Sequence, residues 1–136
     1  MTTHKVLMIV EDDVDDRLYF SNAAKEINAS NECIGAWNGA QALELLHKAK
    51  KLPDFIFIDI NMPVMNGLDC LEKLKEDEQL KNIPVIIYTA SQYHKNSDYT
   101  RELGASSFIT KPVDLKKLPQ LIILAMEQAK QNIHHQ

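Results

Sequence analysis

Five short runs rich in β-branched and aromatic residues alternate along this chain with stretches spaced for helices, and that alternation leaves few folds open. The runs Lys5–Val10, Glu32–Trp37, Phe55–Ile60, Val85–Ala90 and Ser107–Thr110 read as strands. Helical spacing covers about Asp15–Ile27, Ala40–Lys50, Leu68–Leu80 and Tyr93–Leu103, with a last helix from about Leu115 to Gln131. Leu43, Leu46 and Ala49 fall on one face of the second helix, and Leu68, Leu71 and Leu74 on one face of the third. Short connections between βα repeats predict an α/β fold, a doubly wound five-stranded parallel sheet covered by helices on both faces. No linker or repeat interrupts the pattern, so residues 1–136 read as one domain, with about 131–136 expected as a flexible, frayed tail.

Composition narrows the function classes. With 45% hydrophobic and 25% charged residues, the balance is that of a soluble globular domain. A formal charge of −4 gives no basic stripe for nucleic acid. No apolar run approaches the roughly 20 residues of a membrane span, and no signal peptide precedes the first strand, so a cytoplasmic location is expected. Cys33 and Cys70 lack metal-site spacing and read as small core residues without chemistry.

Polar residues gather where strands end. The run Val6–Val10 meets Glu11, Asp12 and Asp13 abruptly, and Asp59 follows Phe57 and Ile58 inside an otherwise apolar strand. In open α/β sheets, the carboxyl ends of the strands near a switch in strand order are where ligands bind. If the first and third strands are neighbours, Glu11, Asp12 and Asp59 converge. Like charges so placed raise one another's pKa unless a cation sits among them. Few carboxylates with several waters suit Mg²⁺ better than a closed Ca²⁺ cage. The alternative for Glu11–Asp13 alone is a solvated acidic loop. Asp59 speaks against it, because an ionised carboxylate among apolar residues is costly unless paired or coordinated. An EF-hand loop at Asp13–Asp16 fails for want of the central Gly and the distal Glu. Thr89 and Ala90 close the fourth strand, and Lys111 follows the fifth, directly before Pro112. Taken singly, Thr89 reads as a helix cap and Lys111 as a solvated loop residue; together they point at the acidic edge.

The whole pattern resembles the receiver domains of two-component response regulators, including single-domain chemotaxis-type regulators. The resemblance is carried by Val10-Glu11-Asp12-Asp13, by Asp59-Ile60-Asn61-Met62-Pro63 with Gly67, and by Thr89-Ala90, Gly104-Ala105, Phe108 and Lys111-Pro112. It spans about Lys5 to Gln128 and implies a flavodoxin-like (βα)5 fold with strand order 2-1-3-4-5. It gives Asp59 the role of phosphoacceptor. Asp12, Asp59 and the main-chain carbonyl of Asn61 would ligate Mg²⁺ directly, and Glu11 through water. Thr89 would hydrogen-bond the phosphoryl group and Lys111 would pair with it. A cis Lys111–Pro112 bond is also expected from the family.

The chemistry so implied is attack by Asp59 on a phosphohistidine of a sensor histidine kinase or histidine phosphotransfer protein, followed by hydrolysis of the acyl phosphate. The domain would catalyse only its own phosphorylation and dephosphorylation, and so is not an enzyme in the ordinary sense. The implied switch draws Thr89 inward and lets Phe108 rotate, repacking the face of the fourth helix, fifth strand and fifth helix towards an unknown downstream protein. Moving such an element needs about 3–5 kcal/mol of differential interaction. The alternative for Phe108 is a permanently buried ring. Asn61 and Ser91 flank the site and would tune a lifetime of minutes. Pro119 is expected about one turn into the last helix, if Asp114 caps it, and would kink that helix. Two other function classes stay open. A haloacid-dehalogenase-like phosphatase would want a second acid where Asn61 stands; a phosphorylation-independent binding module would need no complete acidic set. Without an output domain in the chain, the domain is expected to stand alone and to signal by contact with another protein, or to serve as a phosphate shuttle or sink.

Overall fold

The computed structural model describes residues 4–62, 65–90 and 97–134. Its elements are β1 (Val6–Val10), α1 (Val14–Ile27), β2 (Glu32–Ala36), α2 (Gly39–Lys48), β3 (Phe55–Ile58), α3 (Gly67–Glu76), β4 (Val85–Thr89), α4 (Ser97–Glu102), β5 (Ser107–Thr110) and α5 (Leu118–His134). Every ladder is parallel and the strands lie in the order β2-β1-β3-β4-β5. The strand order therefore reverses between β1 and β3, as the flavodoxin-like expectation requires.

Strand alternation sends the side chains into two cores. Met8, Val10, Ile56, Ile58, Val85 and Ile87 pack with Leu46 of α2 and with Leu71 and Leu74 of α3. Leu7, Ile9, Phe55, Phe57, Ile86 and Tyr88 face the other way, against Phe20 of α1 and Ile122 and Ala129 of α5. Phe20 meets Phe57 with ring centroids 4.7 Å apart. The central strands β1, β3 and β4 are buried along their whole length, which is why they read as unbroken apolar runs.

Helix starts are set by side-chain caps. Asp13, Asn38 and Asn66 accept from the backbone N–H groups of Asp16, Gln41 and Asp69. At the amino-terminal edge of the sheet, side chains continue the hydrogen bonding. Asn31 Oδ1 accepts from Lys5 N (2.7 Å), and Asp54 Oδ2 accepts from Val6 N (2.8 Å). Asn31 is itself buried and donates to the Ala24 carbonyl at 2.9 Å.

Several local expectations need correction. Pro119 does not lie a turn inside a helix capped by Asp114. Asp114 caps a separate 3-10 turn, Leu115–Lys117, and α5 begins at Leu118. Pro119 therefore occupies the first turn, where a missing N–H costs no intrahelical bond. The Lys111–Pro112 bond is trans, since the described residues contain no cis peptide; Lys111 reaches the acidic edge from the trans form. α3 stops at Glu76, because Asp77 closes it and starts a turn that still buries Leu80. Ala49 is the exposed C-cap of α2 and not part of its apolar face. Of the fourth helix as expected, the portion before Ser97 includes residues outside those described.

Candidate functional site

The site lies at the carboxyl ends of β1, β3 and β4, on the side where strand order reverses. β1 hands over to Glu11, whose N–H donates to the Ala36 carbonyl at 2.8 Å. β3 hands over to Asp59, whose N–H donates to the Val10 carbonyl at 3.0 Å. The second of these bonds joins the ends of β1 and β3 and brings the carboxylates side by side, as the sequence expectation required. Lys111 N–H donates to the Thr89 carbonyl at 2.7 Å and so fixes the β5 end against β4.

Gly67 makes the turn after β3 possible. Its N–H donates to the Ile60 carbonyl at 2.9 Å. A Cβ on Gly67 would stand 2.2 Å from the Asp59 carbonyl oxygen and 2.7 Å from Ile60 Cα, so any side chain would push α3 off the strand that carries Asp59.

Glu11, Asp59 and Thr89 are buried at 1%, 6% and 0% exposure, whereas Asp12 is exposed. One oxygen from each of Glu11, Asp12 and Asp59 lies within 4.8 Å of the others, a spacing that a single cation can bridge. All three donors are hard carboxylate oxygens, the ligand type that Mg²⁺, Ca²⁺ and Mn²⁺ prefer. The cleft above them has a volume of about 240 Å³ and is also lined by Asn61, Thr89, Ala90 and Lys111.

Asp59 is held from two sides. Thr89 Oγ1 donates to Oδ1 at 2.8 Å, and the Asn61 N–H donates to the same oxygen at 3.2 Å. Lys111 Nζ donates to Oδ2 at 3.2 Å. The Lys111 ammonium also contacts Glu11 Oε1 at 2.5 Å and Asp16 Oδ2 at 2.8 Å, and lies 5.4 Å from the centre of the Tyr88 ring. The electrostatics follow from one ammonium among several carboxylates. Burial, opposed by the Lys111 hydrogen bond and reinforced by the Asp59 charge, pushes Glu11 up from 4.5 to about 8. Burial alone would lower Lys111, but hydrogen bonds to Asp16 and Glu11 and the charge of Asp59 outweigh it and hold the ammonium above its ordinary value.

The structure thus brings Glu11, Asp12, Asp59, Asn61, Thr89 and Lys111 together. Phe108 stands apart from the carboxylates, half-buried on β5 opposite Ile87, and lines a shallow groove with Leu121 and Leu124 of α5. It is neither a fully buried core ring nor a fully exposed one. Ser91 and Pro63 lie outside the described residues. Sequence reasoning missed Asp16 and Tyr88. Asp16 lies in the first turn of α1, behind its cap Asp13, and joins the site only through Lys111 Nζ. Cys33 and Cys70 are free, and burial raises their thiols to about 11 and about 12, in keeping with an inert role.

Residues 7–123 match the family model of the response regulator receiver domain. The polar-differentiation response regulator DivK of Brucella anthropi is 34% identical over 119 residues, covering 87% of this chain and 93% of that protein. Among solved structures, the phosphorylated cyanobacterial phytochrome response regulator RcpA is similar with a TM-score of 0.79 and 27% identity, over 88% of this chain and 89% of that one. The Mn(2+)-bound form of response regulator Rcp1 gives 0.75 and 28%, over 87% and 88%. A sheet order, an acidic strand edge and a family match over most of the sequence agree, and this chain belongs to the response regulator receiver domains of two-component signalling.

Proposed function

We propose that Asp59 accepts a phosphoryl group from a phosphohistidine on a sensor histidine kinase or histidine phosphotransfer protein, in a Mg²⁺-dependent reaction. The observation that carries this reading is the Asp59 carboxylate itself. It is shared between the Thr89 hydroxyl, the Lys111 ammonium and a carboxylate group able to hold a cation.

An Asp59 oxygen attacks phosphorus, the P–N bond breaks, and its electron pair stays on the imidazole. No general base is needed by an ionised carboxylate. Lys111 pairs with a phosphoryl oxygen, and Thr89 transfers its hydrogen bond from Asp59 Oδ1 to the phosphoryl group. Asp12, Asp59 and the Asn61 carbonyl would hold Mg²⁺, with Glu11 acting through water, and the ion would supply positive charge against the oxygens in transfer. Water later cleaves the acyl phosphate, returning Asp59 and inorganic phosphate. The output is a shift of Thr89 and Phe108 that repacks the α4–β5–α5 face for a protein partner in the cytoplasm.

Acetyl phosphate tests this directly. Intact mass should rise by one phosphoryl group with Mg²⁺, remain unchanged in EDTA, and remain unchanged for Asp59→Asn. The labelled form should decay over minutes, since neither Asn61 nor Ser91 is an acid that orients water strongly. Equal labelling of Asp59→Asn would overturn the assignment, and a half-life of a few seconds would overturn the lifetime. Multiple turnover of a generic phosphomonoester would favour the phosphatase reading instead.

A further inference from the structure

Lys111 is not the partner of Asp59 alone. Its Nζ touches three carboxylates, Glu11 at 2.5 Å, Asp16 at 2.8 Å and Asp59 at 3.2 Å. Glu11 and Asp59, with Asp12, form the group whose oxygens lie close enough to share one cation; Asp16 is outside that group. Asp16 also differs in setting. Its side chain is 32% exposed, against 1% for Glu11 and 8% for Asp59. Its backbone is fixed at the start of α1, where its N–H donates to the Asp13 carboxylate at 3.0 Å.

We propose that Asp16 is a positioning residue, a counter-ion that holds the Lys111 ammonium when a divalent cation enters the group formed by Glu11, Asp12 and Asp59. The proposal rests on the Mg²⁺ reading above. Without a metal, Lys111 is, among the described residues, the cation in contact with both buried acids. A dication entering the cluster competes with that ammonium for the same oxygens. Lys111 cannot leave freely, because its side chain is only 18% exposed and its Nζ lies over the Tyr88 ring. An ammonium stranded there without a partner would oppose metal entry. Asp16 removes that opposition, because it is already in contact and its carboxylate has no place among the metal's ligands. It also keeps a flexible four-carbon side chain beside Asp59 and away from bulk water.

A carboxylate near a cation site favours the cation through its field alone, so the two effects must be separated. The measurement is a calorimetric Mg²⁺ titration of the full, metal-stripped chain as wild type, Asp16→Asn, Lys111→Met and the double variant, with thermal melts in EDTA confirming that each is folded. Asp16→Asn should weaken Mg²⁺ binding roughly five- to tenfold in the wild-type background and less than about twofold beside Lys111→Met. Asp16→Glu should recover most of the affinity, which a merely structural role at the helix start would not explain. Equal weakening in both backgrounds means that Asp16 acts only by its field and overturns the positioning role, as does unchanged affinity for Asp16→Asn. A wild-type protein that binds no Mg²⁺ overturns the metal reading itself, a result distinct from a failed cycle in a protein that binds it.

Discussion

At the scale of single residues, the described part of the site is a set of carboxylates gathered around the Lys111 ammonium. Burial and then the Asp59 charge set Glu11 near 8, well above its ordinary 4.5, despite the Lys111 contact. Between those values the native protein keeps a proton on Glu11 that the unfolded chain has released. The unfolded state then binds fewer protons, so stability falls as pH rises across that window. In EDTA, the urea midpoint should therefore be lower at about pH 8.5 than at about pH 5.5, and Glu11→Gln should flatten the difference. A midpoint that rises over this range would contradict the account. Glu11, Asp12, Asp59, Thr89 and Lys111 were all legible in the sequence, because each ends a strand and the topology of parallel sheets delivers strand ends to one edge. Asp16 was not legible in that way. It lies on a helix, and helical acids are usually solvated; only the reach of Lys111 across the site makes it a partner.

At the scale of elements, the placement of Asp59 depends on how closely α3 approaches the end of β3. Gly67→Ala should cost about 2–3 kcal/mol of stability by overpacking, since its Cβ meets backbone and not a flexible side chain. Acetyl phosphate labelling should slow in the same variant, because relief of the clash displaces the chain at Asp59. Stability like that of wild type in a denaturant titration would show that the turn can open freely. Pro119→Ala should behave differently. A proline in a helix interior costs about 3 kcal/mol, but in the first turn of α5 its replacement should change stability by less than about 1 kcal/mol. A large gain on replacement would mean that the helix is strained after all. The sequence pattern identified the last helix but not its division, because a capping Asp114 looks the same before a 3-10 turn as before an α-helix. The helix itself runs from Leu118 to His134.

At the scale of the whole molecule, two apolar cores fasten a sheet whose carboxyl edge gathers Glu11, Asp12 and Asp59 within reach of one another. A cation that binds only the native state should stabilise all of it by mass action, about 2.7 kcal/mol at a hundredfold excess over Kd. Melting temperature should rise with Mg²⁺ concentration, and Asp12→Asn should blunt the rise without altering the melt in EDTA by a comparable amount. No response to Mg²⁺ in wild type would refute the metal assignment. The fold itself was the most legible feature, since three fully buried strands leave unbroken apolar runs that only a doubly covered sheet explains. Its two edges are fastened in different ways. At the amino-terminal edge, Asn31 and Asp54 are spent on backbone N–H groups, and Asn31 is wholly buried. A library of random substitutions should therefore divide cleanly by edge. Changes at Asn31 or Asp54 would reduce the yield of folded protein, whereas changes at Asp12 or Asp16 would leave yield intact and abolish or retune signalling. Descendants of such a chain can vary what they respond to, or how fast, without rebuilding the scaffold beneath.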